Sequence, residues 1–275
     1  MFEILSVFFQ KNGIHDFSPL ALSKCRVVRR YLLERAGIKE TGTAVLFAVP
    51  YLTREALTPD RNLSAYAISR DYHLFFKMLF DEALPRLREA FPNHRFAGFA
   101  DHSPIDEVHA AARAGLGVIG KNGLLITEKH SSYVFLGEIV TDMELPAPAH
   151  EISFCKNCGA CKRVCPIADS ELCLSALTQK KGTLTKEEAK TLLSMGSVWG
   201  CDRCQEVCPH TKDAERNGTL YTKIPFFSDS PLPHLTKTIL SQMSDDEFSR
   251  RAYAWRGRET VLRNLALIEK GDPEC

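Results

Sequence analysis

Eight of the ten cysteines lie between Cys155 and Cys208, and their spacing constrains this chain more than any other feature. Cys155-x2-Cys158-x2-Cys161-x3-Cys165-Pro166 is a full bacterial ferredoxin run. Cys201-x2-Cys204-x3-Cys208-Pro209 repeats it without the first member, for which Cys173 is the substitute. Three thiolates so closely spaced wrap three corners of an iron–sulfur cubane, while the cysteine before each proline points away to the other cluster. Crossing the ligands in this way assigns Cys155, Cys158, Cys161 and Cys208 to one [4Fe–4S] cluster. Cys165, Cys173, Cys201 and Cys204 are assigned to the second. Structural zinc is the competing reading, but it calls for paired CxxC knuckles and needs neither Cys-Pro step. Cys25 falls in an expected helix and reads as a buried, small apolar residue, and Cys275 as an incidental free thiol.

The opening MFEILSVFFQKNGIHDF lacks a basic n-region, and Asp272-Pro273-Glu274-Cys275 is not a prenylation box because its cysteine is last. No apolar run approaches the roughly 20 residues of a bilayer span. The chain therefore reads as cytoplasmic with no membrane partner, where cysteines are more often metal ligands than disulfides. Lys and Arg number 35 against 34 Asp and Glu, a formal net charge of +1. Bulk charge thus gives no support to a nucleic-acid partner, which would need a local basic surface. Thiolate-bound clusters would make the loaded protein mildly acidic.

Ser18-Pro19 reads as the cap and first residue of a helix reaching Ala36, with Gly37 as the stop. Thr43–Tyr51 is an apolar run of strand length. A helical pattern covers Asn62–Phe91, interrupted at Pro85, and Arg95–Ala100 is a short strand. Ser103-Pro104 is expected to open the next helix, with Asp106 and Glu107 in its first turn. That places Asp101 at the C-terminal end of a strand, where α/β layouts bind ligands. Gly123–Thr127 and Tyr133–Thr141 read as a hairpin or neighbouring pair. The Pro-rich stretch Leu145–His150 marks a domain boundary. Thr185-x-x-Glu188 and Ser244-x-x-Glu247 are capping boxes.

Gly115-x-Gly117-x-x-Gly120 matches a dinucleotide fingerprint literally but follows a helix instead of a strand, so the required context fails. Gly115 is better read as a helix terminator, and the other glycines as points of close backbone approach. Lys121-Asn122 beside this turn is either a donor to a polar ligand or a solvated loop. Asp101 beside His102 is either a general acid or an ordinary capping residue. Tyr66 and Arg70-Asp71-Tyr72-His73 fit a half-exposed helix face with internal ion pairs.

Together these residues resemble the epoxyqueuosine reductase family. The matching stretches are Arg70-Asp71-Tyr72-His73, Asp101-x-x-Pro104, Ala114-Gly115-Leu116-Gly117-x-Ile119-Gly120-Lys121-Asn122 and Phe135-Leu136-Gly137-Glu138. They continue through the first cysteine run, Cys173-x-Ser175-x-Leu177-Thr178, and Gly200-Cys201-Asp202-x-Cys204-Gln205-x-Val207-Cys208-Pro209. The resemblance implies an α+β chain: an N-terminal, cobalamin-binding α/β-type domain over 1–148, a ferredoxin-like domain for two [4Fe–4S] clusters over 149–215, and a helical segment over 216–275. It implies reduction of epoxyqueuosine to queuosine in tRNA, an oxidoreductase of queuosine biosynthesis and tRNA processing. Asp101 matches the proton donor, and Tyr66, Ile68, Arg70, Lys121, Leu125 and Leu136 fall in segments that match the cobalamin site. No Asp-x-His-x-x-Gly cobalamin motif occurs, which agrees with a family whose cobalt lacks that histidine ligand.

An electron donor of flavodoxin or ferredoxin type is implied as partner. Three departures stand out: a shortened Cys165–Cys173 interval, Val118 in place of an aromatic, and a chain that stops after Arg263-Asn264 where longer members continue into helical repeats. The resemblance is thus to a short form. The tRNA anticodon loop is left with Lys180-Lys181, Arg250-Arg251 and Arg256 to Arg258, a stretch that otherwise reads as a solvated helix face. Two further readings stand: a related corrinoid reductase of a smaller substrate, and a ferredoxin-type carrier with no substrate of its own.

Overall fold

The computed structural model describes residues 1–167 and 173–270. The shortened interval ahead of Cys173, the terminal Asp272–Cys275 tetrapeptide and its Cys275 thiol lie outside them. Six strands occur among these residues: β1 Asp16–Ala21, β2 Thr43–Pro50, β3 Phe96–Phe99, β4 Val118–Ile119, β5 Leu125–Ile126 and β6 Val134–Thr141. The helices of the first half are α1 Phe2–Lys11, α2 Arg30–Ala36, α3 Tyr72–Ala90 and α4 Glu107–Arg113. Five short ones follow: α5 Ala160–Val164, α6 Leu174–Thr178, α7 Lys186–Met195, α8 Arg203–Glu206 and α9 Pro209–Arg216. The last are α10 Pro225–Ser228, α11 Lys237–Gln242, α12 Asp245–Ser249 and α13 Arg258–Lys270.

The chain divides into two compact units that interleave in sequence. Unit 1 takes Met1–Tyr51, Phe75–Cys158 and His210–Ile224, and unit 2 takes Leu52–Leu74, Gly159–Pro209 and Pro225–Cys275. The expected boundaries at 148 and 215 both fall within unit 1.

Unit 1 is built on an antiparallel sheet of order β1-β2-β6-β3. Every residue of β2 is buried, which is why its sequence is apolar without alternation. Successive side chains still serve opposite faces. Ala44 and Leu46 pack with Leu20, Ile105, Ala110 and Val140 on the α4 side. Phe47 stacks near Phe9 and Phe76, at centroid distances of 4.6 and 5.9 Å, on the other side. Gly137 on β6 pairs with Phe47, and a Cβ there would lie 2.4 Å from the Phe76 ring.

Several expected elements differ. Ser18-Pro19 lies in β1, where an edge strand tolerates proline because its outer N–H needs no partner, and the helix begins only at Arg30. Cys25 follows a 3-10 turn. Its thiol points at the Ala21 carbonyl, 3.6 Å away, and burial pushes its pKa up to about 12. The long helix starts at Tyr72 and runs through Pro85. The cap of α4 is Asp106, which accepts the His109 N–H at 3.2 Å; Ser103 is turned to other partners. β5 pairs with β4 while β6 pairs with β2 and β3, so no hairpin joins β5 to β6. The strand over Thr43–Pro50 and both capping boxes, on α7 and α12, are as expected.

In unit 2, buried polar side chains lock loops together. Asn264 is fully buried and donates to the Thr178 and Val198 carbonyls at 2.7 and 2.9 Å. Leu174, Leu177, Leu192 and Leu267 pack around this tie.

Gly137→Ala forces the Phe76 ring aside, and overpacking of this kind costs about 1–3 kcal/mol. The urea midpoint of the variant is expected to fall accordingly, with no change in the far-ultraviolet dichroism of the folded state.

Candidate functional site

Unit 1 presents Asp101 two residues beyond the end of β3. Phe99 pairs with Glu138 of β6, so the strand end and Glu138 share one register. Asp101 is exposed and adopts a left-handed backbone with φ of 64°. Its N–H donates to Glu107 Oε1 at 3.1 Å. Neighbouring His102 bonds the Tyr31 hydroxyl at 2.8 Å. Below the loop, fully buried Glu138 accepts from the Ser103 hydroxyl, and its other carboxyl oxygen has no partner among the described residues. Burial, then the Glu107 charge, drives the Glu138 pKa well above the usual carboxylate range. Burial likewise pushes Glu107 up to about 7, against the opposing pull of the Asp101 N–H. This carboxyl pair therefore retains a proton near neutral pH.

Leu125 is buried and Leu136 half-buried in one apolar cluster with Ala111, Ala112 and Ile119. Gly115 and Gly117 carry the chain from α4 into β4. Gly115 has a φ of 83°, and a Cβ on Gly117 would stand 2.3 Å from the Ile126 carbonyl oxygen. The glycines thus serve a helix stop and a close backbone approach, as expected. Lys121 is exposed, and its N–H donates to Cys155 Sγ at 3.3 Å. The Cys155 N–H donates to the Ile119 carbonyl at 3.0 Å, and the Ile119 N–H donates to the Ser153 carbonyl at 2.9 Å.

Tyr66, Ile68 and Arg70 belong to unit 2. The Tyr66 hydroxyl accepts from Gln179 at 3.3 Å, and burial raises its phenol pKa. Ile68 is buried, and its carbonyl accepts from Arg251 at 3.2 Å. Arg70 pairs with Asp229 at 2.8 Å and stacks on Phe226 at 4.5 Å.

Of the eight expected ligands, Cys155 and Cys158 lie in unit 1 and the other six in unit 2. None of the eight forms a disulfide, and none is fully buried. Cys201 has Cys204 and Cys173 near enough for their charges to raise its pKa, though burial is the larger cause of a value of about 11. Cys161 on α5 and Cys204 on α8 sit on helices that pack together. Among the described residues, no three His, Cys, Asp or Glu side chains are grouped tightly enough to hold a single metal ion.

Sequence reasoning missed what holds these loops. Asp202 is almost fully buried and takes bonds from Arg61 at 2.6 Å, Ala65 N–H at 2.7 Å and Gln205 at 3.0 Å. The Thr178 hydroxyl accepts the Gly200 N–H at 2.9 Å, tying the stretch after Cys173 to the one before Cys201. Asp202 and Gln205 beside the cysteines were visible as residues, but their role depends on Arg61, distant in sequence. Much of the basic stretch is also structural. Lys180 pairs with Glu188 at 2.7 Å, and Arg258 donates to the Leu240 and Met243 carbonyls at 2.8 and 2.7 Å. Arg256 lies 3.7 Å over the ring of exposed Trp255.

Fold and cysteine pattern together define a mixed α/β protein with a thiol-rich module. No family model matches the chain. Curated epoxyqueuosine reductases do match it, at 27–35% identity over most of its length, so the chain is a sequence relative of that family. The protein of that name from Pseudomonas aeruginosa is 35% identical over 225 residues, covering 76% of this chain and 61% of the relative. This chain thus spans about three fifths of the length of the curated relatives it matches. The fold agrees with that of the Streptococcus thermophilus epoxyqueuosine reductase, with a TM-score of 0.76 and 22% identity over 98% of this chain and 80% of that one. It agrees also with an epoxyqueuosine reductase solved with an epoxyqueuosine-modified tRNA-Tyr stem loop, at 0.73 and 23% over 97% and 80%. No helix among the described residues is long and apolar enough to cross a membrane.

The raised pKa of Glu107 fixes the sign of one pH effect. Protonation favours the folded form below the ordinary value of 4.5, and that stability is lost as pH climbs through about 7. The loss is on the order of 3 kcal/mol. Glu107→Gln removes the titrating group itself, so the urea midpoint of this variant is expected to fall less steeply over that window. An unchanged slope would show that Glu107 does not carry the effect.

Proposed function

We propose that this chain reduces epoxyqueuosine to queuosine in tRNA, using cobalamin and two [4Fe–4S] clusters. The observation that carries the reading is the extent of the similarity. It runs over 225 residues, far beyond the Cys155–Cys208 stretch that a ferredoxin-type carrier would share.

The donor sets fit the proposed groups. Partly exposed thiols outside any disulfide and in ferredoxin spacing suit cubanes, and the Lys121 N–H on Cys155 Sγ is the kind of hydrogen bond that stabilises a cluster sulfur. Cys155, Cys158, Cys161 and Cys208 would hold one cluster, and Cys165, Cys173, Cys201 and Cys204 the other. Leu125, Leu136, Lys121, Tyr66, Ile68 and Arg70 are the residues we assign to cobalamin contact, on the matching segments alone. The clusters would supply single electrons, drawn from a flavodoxin- or ferredoxin-type donor, and cobalamin the reducing centre for the epoxide.

Conversion of an epoxide to an alkene and water consumes two electrons and two protons. Asp101 supplies a proton to the departing oxygen, which its exposure at the strand end allows. For the nucleic acid, a cleft of about 820 Å³ in unit 2 lined by Lys181, Lys186, Arg256 and Arg263 supplies local positive charge that the net charge of +1 does not.

Asp101→Asn keeps the shape of the acid without its proton. Turnover of an epoxyqueuosine-modified tRNA stem loop is expected to drop by about 10²–10⁴-fold with cofactor content unchanged. Full turnover by the variant would remove Asp101 from the chemistry. Turnover of a small epoxide but not of the stem loop by the unaltered protein would favour a reductase of smaller substrates.

A further inference from the structure

The Asp101 backbone lies in the left-handed region, which residues with a Cβ enter at a cost that local hydrogen bonds offset. Four non-glycine residues with positive φ occur among the described residues, and Asp101 is the one placed at the end of β3. A charged group takes its backbone N–H: Glu107 Oε1, at 3.1 Å. We propose that Glu107 is a positioning residue for Asp101, clasping its backbone N–H so that the acid is held ready at the strand end. The inference rests on the reading of Asp101 as the proton donor.

The surroundings of Glu107 support a clasp over an ordinary helix-terminal acid. The start of α4 already has its cap in Asp106, so Glu107 is free of that duty. Segment 26–29 fixes the turn from the far side. Val28 and Arg29 N–H groups donate to the Pro104 carbonyl at 2.8 and 3.0 Å, and Arg29 Nη1 to the Ser103 carbonyl at 3.0 Å. Asp106 N–H donates to the Arg26 carbonyl at 2.9 Å. The Glu107 carboxyl therefore projects from a rigid base. Glu138, fully buried, lies behind it with one oxygen on Ser103 and the other without a partner among the described residues. A lone buried carboxyl oxygen is tolerable only on a neutral acid, so Glu138 is the member that keeps the proton. Glu107 is then left as the acceptor for the Asp101 N–H. A surface acid whose only role was the helix dipole would need neither the buried neighbour nor the reach back across the turn.

Two variants of the cofactor-loaded protein separate clasp from mere structure. Glu107→Gln keeps a carbonyl oxygen for the N–H, and Glu107→Ala removes it. Hydrogen exchange followed by peptide mass spectrometry reads the segment 99–104 directly, and turnover of the modified stem loop reads the consequence. Glu107→Ala is expected to speed exchange in that segment alone and to lower kcat by on the order of tenfold to a hundredfold, with KM unchanged. Glu107→Gln is expected to restore most of both. Unchanged exchange in Glu107→Ala, or a Gln variant as impaired as the Ala variant, overturns the clasp. Faster exchange with undiminished kcat shows instead that Asp101 is not the proton donor, which ends the catalytic purpose assigned to Glu107. The Asp101→Asn variant run alongside tells that failure apart from a failure of the assay.

Discussion

The antiparallel pairing of β2 with β6 fixes where each candidate residue of unit 1 stands. β2 is buried throughout, so its register against β6 cannot slip without turning Phe47 into the α4 side and Leu46 into the aromatic side. With that register set, Gly137 must face Phe76 and Glu138 must face α4. The adjoining register of β3 then brings Phe99 opposite Glu138, and the chain reaches Asp101 two residues later. Strand pairing thus places an exposed acid beside buried Glu138 and half-buried Glu107. The cost of burying Glu138 is met by its retained proton and one hydroxyl.

Unit 2 solves a different problem. Short helices and loops around cysteines have little apolar surface of their own to bury. Fixed hydrogen bonds take over: Asp202 binds the loop after Cys201 to segment 61–65, and Thr178 and Asn264 bind the stretch after Cys173 to residues 198–200. Removing Arg61 would leave the buried Asp202 carboxylate uncompensated, and removing Thr178 or Asn264 would strand buried backbone groups, which makes these contacts harder to replace than surface ion pairs. The loops are thereby kept close enough for Cys173, Cys201 and Cys204 to feel one another.

What the sequence disclosed followed the reach of each signal. The apolar run of β2, the two capping boxes and the glycine after α2 depend on neighbours a few residues away, and they were readable. Ser18-Pro19 carries the same local signal as a helix start, yet its environment is a sheet edge, and only the partner strand reveals that. Ser103-Pro104 misled for the same reason: the hydroxyl is occupied by Glu138, thirty-five residues on, which leaves capping to Asp106. The hairpin or neighbouring pair expected around residues 128–132 shrinks to one antiparallel bridge from Thr127 to Ser131, since β2 and β3 both claim β6. Among candidate site residues, Asp101 at a strand end and the cysteine spacings were legible. Glu107, Glu138, Arg61 and Asp202 were not, because each acts through a residue far away in the chain.

All of the chemistry assigned here depends on what the thiols of the cysteine region bind. The decisive measurement is iron, sulfide and zinc content of anaerobically prepared protein, together with its Mössbauer spectrum. Two cubanes predict about eight iron and eight sulfide per chain, with spectra of the [4Fe–4S] type and negligible zinc. A colourless protein carrying one or two zinc ions and no sulfide would contradict the account.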